Sequence, residues 1–164
     1  MPEPSVAAPA GNSPHSAGFL VFATLVLCAA YGEVATFLLG PAMPALGQIF
    51  DKTPATVQLT NVSFAVMFAV GQLFFGPLSD RRGRRTALLL GAGLTLAGSA
   101  ISGLADDIGM IIVGRAIQGF GAGSGLEVSR AIVRDIYGAE GSPKAMALLF
   151  ALMAASSLTA PLVG

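Results

Sequence analysis

The sequence predicts an all-α membrane protein with about five spanning helices. Three observations predict it: an apolar composition, five apolar stretches of spanning length, and arginines gathered at one turn. Of the 164 residues 54% are hydrophobic and only 11% charged, where soluble domains carry about 25% charged residues. Mean hydropathy is +0.74. The apolar stretches are Phe19–Leu39, Val57–Leu78, Thr86–Ala105, Ile108–Val128 and Ala145–Val163, each near the roughly 20 residues that cross a bilayer as a helix. Short polar linkers join them: DKTPAT, SDRRGRR, ADD and RDIYGAEGSPK. Helices follow, because an open sheet in lipid leaves backbone groups unpaired, and short linkers favour antiparallel neighbours.

Ahead of the first span, residues 1–18 are rich in Pro, Ala, Ser and Gly and offer little to bury against chain entropy, so they are expected to be a disordered tail. The tail has no Lys or Arg to open a secretory signal, and the apolar run after it is too long for a signal core. His15 is a solvated side chain there. Net formal charge is zero, so no overall field favours nucleic acid. The single cysteine, Cys28, has no partner for a disulfide or a CxxC site.

Orientation comes from the basic residues. Arg81, Arg82, Arg84 and Arg85 occupy the second linker, and Arg130, Arg134 and Lys144 flank the fourth, whereas the first and third together hold only Lys52. Linkers two and four are therefore cytoplasmic, and so is the tail.

Charges inside spans are expensive and point to function. Span 1 contains Glu33 among eleven Leu, Val and Phe residues; at about −0.3 to −0.6 kcal/mol each these outweigh about +3 kcal/mol for one carboxylate. Span 4 holds both Arg115 and Glu127, and its apolar residues offset only about one charge. It must lie inside a bundle. Its glycines form two overlapping GxxxG spacings, Gly119/Gly123 and Gly121/Gly125, which admit a neighbouring backbone.

Glu33 lies fourteen residues past the start of span 1, about 21 Å deep. Arg115 lies seven residues from the outer start of span 4, hence about 20 Å above the cytoplasmic edge of a core about 30 Å thick. The two share a level, where a carboxylate held between desolvation and an arginine can take and release a proton. A static pair that fixes helix register is the alternative.

Gly76–Arg85, GPLSDRRGRR, resembles the signature between spans 2 and 3 of the major facilitator superfamily. RAIQGFGAG at 115–123 looks like its span-4 Arg-and-Gly motif, and APLVG at Ala160–Gly164 like the start of its span-5 antiporter motif. With TVQLT and RDIY, the wording is most similar to the Bcr/CflA branch of drug:proton antiporters, which includes chloramphenicol exporters, over about residues 31–164. The resemblance implies a twelve-helix fold of two six-helix halves with a cavity between them, of which this chain supplies the N-terminal part, residues 19–164 as helices 1 to 5. It implies efflux of small amphiphilic drugs, chloramphenicol-like, bicyclomycin-like or multidrug. It also implies a proton gradient across a bacterial inner membrane as the driving force, with no cofactor. The further C-terminal helices of the same transporter are the implied partner, with the lipid bilayer. A non-transporting fragment that acts as a helical membrane partner, and an exporter of sugars or metabolites, remain alternatives.

The resemblance also implies residue roles. Asp80, Arg84 and Asp135 form a cytoplasmic gating latch. Branch members carry an Asp where this chain has Phe37, before Pro41-Ala42-Met43-Pro44; Glu33, one turn earlier on the same face, takes over the acidic role with Arg115. Gly76 serves close helix contact and Gly83 a tight turn, Pro161 kinks span 5, and Arg81, Arg82 and Arg85 anchor topology and anionic lipid. Tyr31, Phe37, Asn61 and Met67 are candidates to line a drug cavity. GFGAGSG does not fit a dinucleotide fingerprint, and no GxxxxGK[ST] loop, nucleophile triad or metal cluster is present, which argues against an enzyme or a self-contained ATP pump.

Overall fold

The computed structural model describes residues 23–30 and 40–163, apart from the side chains of 139, 140 and 156–163. Tyr31, Glu33, Phe37 and the expected tail at 1–18 lie outside the described residues. Every regular element described is helical: α1 (23–30), α2 (Met43–Ile49), α3 (Pro54–Arg82), α4 (Arg84–Gly103) and α5 (Ile108–Val163).

Local chemistry starts and stops these helices. α3 opens with Thr53, whose hydroxyl accepts from the Thr56 N–H at 3.3 Å, and with Pro54 at its first position, where a missing N–H costs nothing. It runs 29 residues, about 43 Å at 1.5 Å per residue, and so extends beyond the 57–78 span on both sides. Pro77 lies inside it, a break in hydrogen bonding that membrane helices tolerate. α3 ends at Gly83, whose φ of 89° is left-handed backbone open to glycine. Thus the second linker is a one-residue interruption rather than a loop. At the start of α5 the Asp107 carboxylate accepts from the Met110 N–H at 3.0 Å.

The fourth linker is also helical. α5 covers 56 residues with one non-helical residue, Gly138 (φ 64°, ψ −172°). The chain reverses there: Leu126 and Val133 before it share one buried cluster with Leu149 and Met153 after it, together with Leu25, Ala29 and Ala30 of α1. In a straight helix Leu126 and Leu149 would stand about 34 Å apart. The linker RDIYGAEGSPK is therefore two helix ends meeting at a glycine.

The first arm of α5 lies against both α3 and α4, which touch each other far less. Glycine makes this possible on two faces. A methyl on Gly119 would strike the Phe64 backbone of α3, and one on Gly123 would come within 2.7 Å of the Phe68 carbonyl. On the other face Gly121 and Gly114 meet Gly91 and Gly98 of α4. Such close backbone approach is how helices associate where no hydrophobic effect drives them together.

α3 and α4 are each long and apolar enough to cross a membrane, yet only 22% of the most apolar stretch of either is buried. A soluble core helix is largely buried. Leu59, Val66, Val70 and Leu73 of α3 and Leu89 and Leu96 of α4 all face outward, as lipid-facing side chains do. Neither arm of α5 reaches that length and apolarity among the described residues, which fits a fourth span held by its neighbours.

Candidate functional site

Two arginines organise the polar groups, one at the end of the bundle where α3 meets α4 and one near mid-depth. At the first, Arg84 Nη1 donates to Asp80 Oδ1 at 2.6 Å and to Ser79 Oγ at 2.7 Å, while Nε donates to Asp135 Oδ2 at 3.2 Å. Nη2 stands 3.1 Å from the same Asp135 oxygen. Ser79 in turn donates to the Gly76 carbonyl at 2.9 Å. One guanidinium thus ties the last turn of α3, the first residue of α4 and the first arm of α5. The fork geometry of arginine suits two carboxylates at once, which a lysine could not match.

Gly83 makes the arrangement possible by reversing the chain between Asp80 and Arg84; no atom lies within 4 Å of a methyl built there, so the demand is conformational and not steric. Gly76 differs from its expected role. A methyl there would meet Glu127 Cγ at 3.6 Å, an ordinary contact, and the close approach of α3 to α5 falls at Gly71 instead, against the Phe120 backbone. Arg81, Arg82 and Arg85 are exposed and make no ion pair among the described residues.

Arg115 is 4% exposed. Its Nη1 donates to Gln118 Oε1 at 2.8 Å, Nη2 reaches Asn61 Oδ1 at 3.5 Å, and the guanidinium carbon lies 4.2 Å from the Phe64 ring centre. Gln118 passes the link on, donating to Ser99 Oγ of α4 at 2.9 Å. α3, α4 and α5 are therefore joined at this level as well, through amides and an aromatic face. Glu33 falls outside the described residues, so its proximity to Arg115 stays a sequence expectation.

Asn61 is engaged by Arg115 and by Met43 Sδ at 3.8 Å; Met67 is half-buried. Pro161 lies in the second arm of α5, with its side chain outside those described. Gly119 and Gly123 stand at the α3 contact described above. The sequence reading missed Gln118 and Ser99, neutral residues whose only signal is that Gln118 sits three positions after Arg115, on the same face. It also left Glu127 without a role: the carboxylate lies 3.6 Å from Arg130, whose guanidinium is 5.2 Å from the Phe150 ring of the second arm. No group of His, Cys, Asp or Glu that could hold a metal ion occurs among the described residues.

Comparison with known proteins bears on the same segments. Residues 16–164 match the Major Facilitator Superfamily. The chain is 35% identical over 124 residues to Uncharacterized MFS-type transporter YdgK of Bacillus subtilis (strain 168), covering 76% of this chain and 31% of that protein. It is 31% identical over 140 residues to Multidrug resistance protein D of Escherichia coli (strain K12), covering 85% and 36%. Against Chloramphenicol resistance protein of Pseudomonas aeruginosa it is 38% identical over 126 residues, covering 76% and 30%. The chain spans about a third of the length of these relatives. Two of the three are named for drug resistance, in agreement with the Bcr/CflA-type wording of the motifs. A match over nearly the whole sequence leaves one assignment: this chain belongs to the Major Facilitator Superfamily, a family of membrane transporters and not of enzymes.

Proposed function

We propose that the chain is the front portion, spans 1 to 5, of a secondary active exporter of small amphiphilic drugs driven by proton antiport. It sits in a bacterial inner membrane with its N-terminus in the cytoplasm. The observation that carries this reading is Arg84 bridging Asp80 and Asp135. A three-helix tie made of partly exposed charges is strong enough to hold one end of the bundle shut and weak enough to open during a transport cycle. Names of relatives support a drug as cargo, and the arginine turn supports a cytoplasmic placement of the latch.

Coupling falls to Glu33 with Arg115, on the strength of their matched depth. The amides and ring around Arg115 also favour a second reading, in which that arginine fixes helix register and carries no proton traffic. Both are tested on the full-length transporter in proteoliposomes under an imposed pH gradient, with chloramphenicol as cargo. Asp80→Asn is expected to lower efflux about tenfold with normal membrane insertion; wild-type efflux would reduce the triad to a topology signal. Glu33→Gln is expected to abolish gradient-driven efflux while drug binding survives. If thermal stability and yield fall together with transport, the register reading takes its place.

A further inference from the structure

A groove of about 470 Å³ runs between α1 and α4. Thr24, Leu27 and Cys28 form one wall and Leu88, Leu89, Ala92 and Leu96 the other. Its floor holds two hydroxyls that are already satisfied: Thr95 donates to the Gly91 carbonyl at 3.0 Å and Ser124 to the Gly121 carbonyl at 2.8 Å. The rim is apolar and open, with Leu27 71%, Leu89 63% and Leu96 71% exposed. From Leu88 to Leu96 the groove extends about 12 Å along α4, most of one leaflet of a hydrocarbon core about 30 Å thick.

The α4 face that lines this groove does not end in apolar residues. Counting back from Leu96, Ala92, Leu89 and Leu88 by helical steps of three and four reaches Arg85 on the same face. Arg85 is exposed and makes no ion pair among the described residues. Arg81 and Arg82 stand at the same end of the bundle, also exposed and outside the Arg84 triad. A cationic mouth thus opens onto an apolar slot about one leaflet deep. Zwitterionic lipid would match the slot but not the mouth, and a soluble anion the mouth but not the slot.

We propose that this groove binds a single anionic phospholipid, with the headgroup on Arg85 and its neighbours and one acyl chain between α1 and α4. Surface arginines near a membrane attract anionic lipid by charge alone; the groove adds a fixed position. Lipid retention is read without any flux, so its failure is distinguishable from failure of the transport reading.

Native mass spectrometry of the full-length transporter, titrated with dioleoylphosphatidylglycerol or dioleoylphosphatidylcholine, tests it. One phosphatidylglycerol is expected to be retained in preference to phosphatidylcholine. Arg85→Ala should lower that retention about fivefold and Arg85→Lys should keep most of it. Ala92→Phe, which fills the groove, should lower retention with thermal stability unchanged. Equal retention of both lipids, or an Arg85→Ala variant that binds as wild type, overturns the proposal. So does an Ala92→Phe variant that retains phosphatidylglycerol normally: with unchanged stability the arginines alone bind lipid, and with reduced stability another helix of the transporter fills the slot.

Discussion

Arg84 and Arg115 are the same side chain on the same small bundle, each joining α3, α4 and α5, yet they are held by opposite means. Arg84 sits at the end of the bundle with its side chain 28% exposed and bridges two carboxylates that are themselves 67% and 59% exposed. Arg115 is buried, and its described partners are two amides and an aromatic face. In partial contact with water, opposite charges attract each other weakly and separate cheaply. Away from water a guanidinium is costly without hydrogen-bond acceptors, and the amides that serve Arg115 are fixed by packing. The first arrangement suits an element that opens and closes, the second one that stays.

The contrast breaks most readily at the glycines beside each arginine. Gly119→Leu, one turn beyond Arg115, must push α3 away at Phe64; it is expected to cost more than about 3 kcal/mol and to remove most folded protein, as read by detergent-solubilised yield and thermal unfolding of the full-length transporter. Next comes Gln118→Leu, which leaves Arg115 buried without one of its acceptors. A loss of about 2 kcal/mol is expected, along with a lower unfolding temperature. Unchanged stability would show that Arg115 is held elsewhere. Arg84→Lys keeps the charge but cannot fork between Asp80 and Asp135, so stability should change by no more than about 1 kcal/mol while efflux falls clearly. A variant in which stability and efflux drop in proportion would erase the distinction between the two arginines. Smallest is Gly76→Ala, where the added methyl meets only Glu127 at ordinary distance; a change within about 0.5 kcal/mol is expected.

The sequence made the arginine end legible and left much of the middle dark. Asp80, Arg84 and Asp135 were legible only through the resemblance of GPLSDRRGRR to the family signature, since scarcity of charge does not tell Arg84 from Arg81, Arg82 and Arg85. Gly119 and Gly123 were visible through their spacing. Gln118 and Ser99 were not, since a neutral polar residue in a helix gives no signal until its partner on the next helix is known. The helical course of RDIYGAEGSPK was hidden for a different reason: glycine, proline and charge mark loops in soluble proteins, but near a membrane surface they also mark helix ends, and only Gly138 leaves the helix. α2 has seven residues, too few to show a period.

The intercalated position of α5 also governs the order in which the chain can be built. α3 and α4 emerge from the ribosome before α5, as a hairpin whose members touch little, and their small-residue faces have nothing to close on until the glycine-rich arm arrives. At synthesis rates of about 5–20 residues per second, the stretch from the end of α4 to Gly138 takes about 2–7 s. For that interval the two helices are held together chiefly by the Gly83 turn at one end, with Arg115 and Glu127 still waiting to enter lipid.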